Sequence, residues 1–299
     1  MSTSWRGGRS NLQSFLDSTT PSVPPRKLPK SWCRDLSNLW QLDGKDSVEF
    51  FNLGDLWEQY YEWSACGAGV PVSLHGGEMA VQYYVPYLSG VQIYTNKAPA
   101  APSEHKYKKL AGSDAVSERL EDARRTRERI GHMYFEFFES SSPYGRIPLL
   151  NKVLELARSY PGLTSFKSTE LSPASWMSVA WYPIYHIPTR QSVKDLSVCF
   201  LTYHTLSSLF QDPIHESSTN DPTSFGAGKN GTKPEEKCGR RIPLPPFGLA
   251  TYKLRGSLWT MAGTGDQERI TSLLGAAKSW LQQLKVQHHD FTYFTTHFV

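Results

Sequence analysis

From Ala174 to Tyr182 the chain reads Ala-Ser-Trp-Met-Ser-Val-Ala-Trp-Tyr, and it carries no charge. One alternate set of side chains is Ala174, Trp176, Ser178, Ala180 and Tyr182. The other is Ser175, Met177, Val179 and Trp181. Both sets are apolar or small, so a strand here needs cover on both faces. At about 25 cal/mol per Å² of apolar area, burying two tryptophans contributes several kcal/mol. Pro183 and Pro188 lack backbone donors, so regular pairing falters after Tyr182. A second doubly covered strand is expected from Ser197 to Leu206, with Cys199, Leu201 and Tyr203 on one side and Phe200 and His204 on the other. The short polar link from Thr189 to Asp195 suits an antiparallel hairpin.

The rest of the chain supplies the cover. Asn52 opens a helix whose stripe is Leu53, Leu56, Trp57, Tyr60 and Tyr61, and Gly67 closes it. Such an aromatic stripe reads as core packing rather than a ligand box. Met79 to Leu88 and Val91 to Tyr94 read as strands meeting at the turn dipeptide Ser89-Gly90. His132 to Glu139 alternates as a strand. Pro148 starts a helix with Leu149, Leu150, Val153, Leu156 and Ala157 on its buried face. Leu163 to Thr169, Phe247 to Leu254 and Ser257 to Met261 are further strand candidates. Asp266 is placed to cap a last long helix with Ile270, Leu273, Ala277 and Leu281 inward. The tail from Phe291 is aromatic and is expected to pack. The elements do not alternate regularly, so the expected fold is α+β: a largely antiparallel sheet packed by about three main helices.

Two stretches read as mobile insertions, near 98–129 and 211–241. The remainder of 41–299 reads as one domain, and 1–40 as a mostly disordered N-terminal arm. Within that arm Ser10-Asn-Leu-Gln13 has the form of a capping box, and Leu12, Phe15 and Leu16 share one helical face. Three apolar side chains on a short helix need a groove, in the chain's own domain or in another protein.

Composition bounds the partners. A net charge of +4 on 299 residues gives no reason to expect nucleic acid. Arg124, Arg125, Arg127 and Arg129 are interleaved with Glu121, Asp122 and Glu128, which leaves that patch near neutral. No apolar run approaches the about 20 residues needed to span a bilayer. Cysteines at 33, 66, 199 and 238 match no zinc spacing. A reduced intracellular protein, cytoplasmic or nuclear, is expected. The acid-free run Met1 to Leu16 leaves organellar targeting open. Oligomeric state and cofactor are not legible.

Three constellations hold the residue types of chemistry. Ser172, Ser175 or Ser178 with His186, His204 and Asp195 has the types for acyl transfer, but no nucleophile-elbow motif is present and small serines between tryptophans also fill space. His288-His289-Asp290 with His297 has metal-ligand types without metal-ligand spacing, so no metal site is expected. Cys199 and His204 fall on opposite faces of a strand.

The runs Ser172 to Thr189, Lys194-Asp195-Leu196 and Cys199 to His204 resemble the signature of the plant family known as domain of unknown function 789. Val81 to Gly90, Tyr134 to Glu139 with Ser142-Pro143-Tyr144, and Phe247 to Lys253 agree with it. The resemblance implies a plant protein and a shared fold, and it implies no activity. Two function classes follow. One is a non-enzymatic interaction or adaptor module whose candidate contact is Leu12, Phe15 and Leu16. The other is an enzyme or small-molecule binder with its site near Tyr182–Asp195. The candidate functional surface is Tyr182, Tyr185, His186, Arg190, Asp195 and His204.

Overall fold

The chain is built on one long strand. In a computed structural model describing residues 9–29, 47–74, 77–96, 130–184, 195–207, 241–254, 257–260 and 263–296, Met79–Thr95 is continuous. The described elements before it are α1 (Asn11–Thr19), β1 (Ser22–Val23), β2 (Arg26–Pro29), β3 (Ser47–Phe50), α2 (Leu53–Glu58), α3 (Tyr61–Cys66) and β4 (Ala68–Ser73). The long strand is β5. After it come β6 (His132–Phe138), α4 (Leu149–Ala157), α5 (Gly162–Ser165), β7 (Trp176–Pro183), β8 (Cys199–Thr205), β9 (Ile242–Pro243), β10 (Gly248–Tyr252), α6 (Asp266–Gln283) and α7 (His289–Thr296). The main sheet runs β10-β8-β7-β5-β4, and β6 pairs the far half of β5. Every described strand pairing is antiparallel, so the fold is α+β.

Ser89-Gly90 is not a turn. Leu88 pairs Val179 and Gly90 pairs Ser178, so Ser89 is the extra residue of a β-bulge. Gly and Ser serve bulges as readily as turns, which is why the dipeptide misled. The bulge switches parity along β5. Tyr84 and Leu88 lie on the inner face before it, and Val91 and Ile93 after it.

The inner face packs Met177, Val179, Trp181 and Phe200 beneath α1 to α5. The outer face packs Trp176, Ala180, Leu201 and Tyr203 beneath α6 and α7. At Gly248 a Cβ would fall 2.8 Å from Ala277 Cβ, so only glycine admits α6 this close to the sheet. The doubly covered strands expected from the sequence are therefore β7 and β8, side by side, with Trp181 pairing Phe200.

Three other expectations change. The helix expected from Asn52 to Gly67 is broken at Gln59 and Tyr60 into α2 and α3. Leu163 to Thr169 holds α5 and an isolated bridge from Lys167 to Asn52 rather than a strand. Residues 257–260 form bends rather than a strand, whereas the aromatic tail packs as expected, as α7. The insertions expected near 98–129 and 211–241 lie outside the described residues apart from Arg241.

Helix α1 is docked on the chain's own core. Ser10 caps it by accepting from Gln13 N, and the Ser10 hydroxyl donates to Asp266 at the start of α6. Leu12, Phe15 and Leu16 are 0, 0 and 4% exposed. The Phe15 ring stacks on Phe200 at 3.9 Å and meets Tyr84 edge-on at 5.4 Å. Asn11 Nδ2 donates to Ser73 O (2.9 Å) and Leu258 O (2.8 Å), and its Oδ1 accepts from Ser73 N (2.7 Å). The side-chain amide thus satisfies a residue of the β4 edge. Phe15→Ala is expected to cost about 3–5 kcal/mol in denaturant unfolding, against less than about 0.5 kcal/mol for Lys278→Ala on the exposed side of α6. Equal losses would show that α1 is not part of the cooperative core.

Candidate functional site

The outer face hides a polar cluster. Ser89 reaches it on the same outward alternation as Val81 and Tyr83, and the bulge leaves Gly90 on that side as well. Arg146 reaches it from the end of the 3-10 turn Pro143–Gly145. His288 and Asp290 flank the start of α7, whose first turn is closed by Thr292 N donating to His288 O. Arg146 donates through two nitrogens to the two Asp290 oxygens, each at 2.7 Å. Its Nε and a terminal nitrogen also donate to Ser141 O at 3.0 and 2.8 Å. The Ser89 hydroxyl donates to Asp290 Oδ2 at 2.6 Å. His288 Nε2 lies 3.0 Å from Ser89 Oγ and Nδ1 lies 2.7 Å from the Tyr203 hydroxyl. Gly90 makes room, since a Cβ there would sit 3.1 Å from both His288 Nε2 and Ser178 Oγ.

The hydrogen bonds assign the protons. Ser89 spends its proton on Asp290, so His288 Nε2–H donates to Ser89 Oγ. Nδ1 then accepts from Tyr203. Burial pushes the His288 imidazole down to about 4, which keeps it neutral. Burial alone would raise the Asp290 carboxyl, but the Arg146 hydrogen bonds and charge, with the Ser89 bond, hold it below the usual range. Burial opposes the Arg146 charge in turn, and Asp290 restores it and raises the guanidinium.

Serine, histidine and aspartate thus meet in an order that disables hydrolysis. A nucleophilic serine needs the histidine to accept its proton. Here the carboxylate accepts it and the imidazole donates. The Arg146 and Asp290 side chains are 2 and 1% exposed, and Ser89 and Tyr203 are fully buried. Both His288 nitrogens are occupied, and among the described residues no group of three or more His, Cys, Asp or Glu is placed to hold a metal ion. What this arrangement does is fasten α7 and the 139–146 loop to the bulge of β5.

Of the residues singled out from the sequence, Tyr182 and His204 do not meet. Tyr182 ends β7 half-buried, 5.8 Å from Tyr87 and 6.2 Å from Phe294, with the Arg146 guanidinium 6.0 Å from its ring. Burial raises its hydroxyl pKa. His204 lies on the inner face, hydrogen-bonded to Leu244 O and Thr202 Oγ1 at 2.8 and 2.9 Å, and burial holds it down at about 4. It pairs Met177, whereas Tyr182 lies beyond the Trp181–Phe200 pair at the other end of the ladder. Asp195 begins the short turn Asp195–Ser197. Tyr185, His186 and Arg190 lie outside the described residues. Ser175 is tied to the Tyr94 backbone, and Ser172 accepts from Ala174 N. Cys199 is buried on the outer face, its thiol pushed up to about 12 by burial. Sequence reading missed Ser89, Arg146 and Tyr203, and placed His288 and Asp290 only in a metal constellation.

The outer face also has an end that no helix covers among the described residues. Before the bulge, Met79, Val81 and Tyr83 are 67, 44 and 42% exposed, with Ile184 beside them at 37%. Gly69 pairs Tyr83 and Pro71 pairs Val81. The floor beneath is glycine: a Cβ on Gly69 would lie 3.3 Å from both Tyr83 Cε1 and Val81 Cγ1. A Cβ on Gly67, which has φ +82°, would lie 2.6 Å from Ile184 Cδ1. Helices α6 and α7 cover the same face farther along, and none of the residues named here is charged.

A family model described as "Protein of unknown function (DUF789)" matches residues 10–122 and 102–294. No curated protein matches the chain, and no solved structure does. Among the described residues no helix is long and apolar enough to cross a membrane.

Two outcomes test the cluster. Asp290→Ala is expected to cost about 3–5 kcal/mol by leaving Arg146 charged and unpaired, while Arg146→Met with Asp290→Leu costs less than that single change. For the histidines, the unfolded forms take protons near pH 6.5 and the folded forms only near pH 4. Between those values the unfolded state binds more protons, so stability falls as pH drops. The loss is on the order of 3 kcal/mol per histidine over the whole window, of which about 2 kcal/mol falls between pH 7 and pH 5. Unfolding curves at pH 7 and pH 5 measure it, and His288→Gln should reduce the slope.

Proposed function

Because the chain belongs to the DUF789 family, whose description names no activity, we propose from the structure itself that it is a non-enzymatic protein-interaction module. Its docking face is the outer end of the sheet that no described helix covers. The observation that carries this reading is the contiguous, uncharged patch of Met79, Val81, Tyr83 and Ile184 over Gly67 and Gly69. Apolar side chains gathered on one sheet face, where the neighbouring stretch is covered by helices, mark a surface that another protein covers. The fitting partner presents an uncharged apolar surface, and the association depends little on salt because no ion pair holds it.

The arm, not this face, is the contact expected from the sequence. Offering Leu12, Phe15 and Leu16 to a partner means breaking three Asn11 hydrogen bonds and stripping Phe15 from Phe200, so this reading keeps α1 as an internal strap. The enzyme reading near Tyr182–Asp195 falls mostly on residues 185–194, which lie outside the described residues. Unpaired Cys66 and Cys199 support a reducing compartment, cytoplasm or nucleus.

The test is affinity purification from extract of the source cells. The baits are the full chain and Val81→Lys with Tyr83→Lys, after confirming equal thermal unfolding. Proteins retained by the full chain at low and high salt, and lost with the double variant, are the expected result. Retention of the same proteins by both baits, or of none by either, contradicts the proposal.

A further inference from the structure

The sequence contains three Ser/Thr-Pro steps: Thr20-Pro21, Ser142-Pro143 and Ser172-Pro173. Two are closed. The Thr20 hydroxyl donates to Leu16 O at the end of α1. Ser172 is 2% exposed, and its hydroxyl accepts from Ala174 N. Ser142 differs in each respect. It is exposed, its hydroxyl caps nothing, and its backbone is extended at φ −56°, ψ 147°. The neighbouring Tyr144 is fully exposed.

The loop presents this step from a fixed base. Glu139 accepts from the backbone N–H groups of Ser140 and Ser141, and Arg146 donates to Ser141 O. The chain is therefore held up to Ser141 and again from Arg146, while in the short turn between them Ser142, Tyr144 and Gly145 are exposed and Pro143 is half-buried. A kinase pocket that seats the residue after the acceptor without a hydrogen-bond partner favours proline, because any other residue buries an unsatisfied N–H there.

We propose that Ser142 is a phosphoacceptor for proline-directed protein kinases. In the transfer Ser142 Oγ forms a bond to the γ-phosphorus of magnesium-bound ATP, the bond from that phosphorus to the ADP oxygen breaks, and the hydroxyl proton passes to the kinase's base. The product carries a dianionic group on a loop whose guanidinium is already committed to Asp290 and Ser141. The inference rests on this loop alone and is independent of the docking face.

The experiment treats the folded full chain with a recombinant proline-directed kinase and Mg-ATP, and locates phosphate by peptide mass spectrometry. A synthetic peptide covering Phe138 to Ile147 is labelled in parallel. The expected result is phosphate on Ser142 in both, none at that position in Ser142→Ala, and labelling of Pro143→Ala reduced by about tenfold or more. Phosphate on Thr20 or Ser172 of the folded chain in place of Ser142 overturns the proposal. So does labelling of the peptide but not the folded chain, and so does labelling of neither.

Discussion

A carboxylate and a guanidinium, both almost without solvent, face each other at 2.7 Å beneath α7. Neither is tolerable alone in that position, because an unpaired buried charge costs several kcal/mol. Together they require three distant segments to arrive at once: the 139–146 loop, the bulge of β5 and the turn into α7. Ser89, His288 and Tyr203 extend the requirement to β8. The pair contributes less as attraction than as a condition that other packings fail to meet.

The bulge at Ser89 makes that condition possible. A regular strand would keep Ser89 outward but place Val91 and Ile93 outward as well. One extra residue leaves the hydroxyl facing Asp290 and returns both apolar side chains to the core. It also divides the outer face of β5. Beyond the bulge the face lies under helices and is sealed by polar bonds. Before it, the face is apolar, floored by glycine and, among the described residues, covered by no helix. The sealed part holds the residue types of a hydrolase in a protonation order that cannot activate serine, and the other part offers area for a partner.

Much of the fold was legible because it follows from local pattern. The two uncharged alternate sets of Ala174 to Tyr182 specify a central strand, and β7 is that strand. The capping box at Ser10 and the shared face of Leu12, Phe15 and Leu16 specify α1. Where α1 goes was not legible, since Asn11 answers to Ser73 and Leu258, which are far away in the chain. The polar cluster was hidden for the same reason: Arg146 and Asp290 meet only through the tertiary fold, and no spacing rule joins them. Ser89-Gly90 misled because one dipeptide satisfies both a turn and a bulge, and pairing partners decide between them. Cys199 and His204 were separable from the strand period alone, and their faces follow it.

Native-state hydrogen exchange of the Gly90 amide and the Phe291 to Thr296 amides tests the central claim most directly. If the buried pair locks α7 to the bulge, these amides exchange only through global unfolding, with the same free energy as the core of β7. Exchange of α7 through a local opening far less costly than global unfolding would contradict the account, and would make α7 an appendage rather than a condition of the fold.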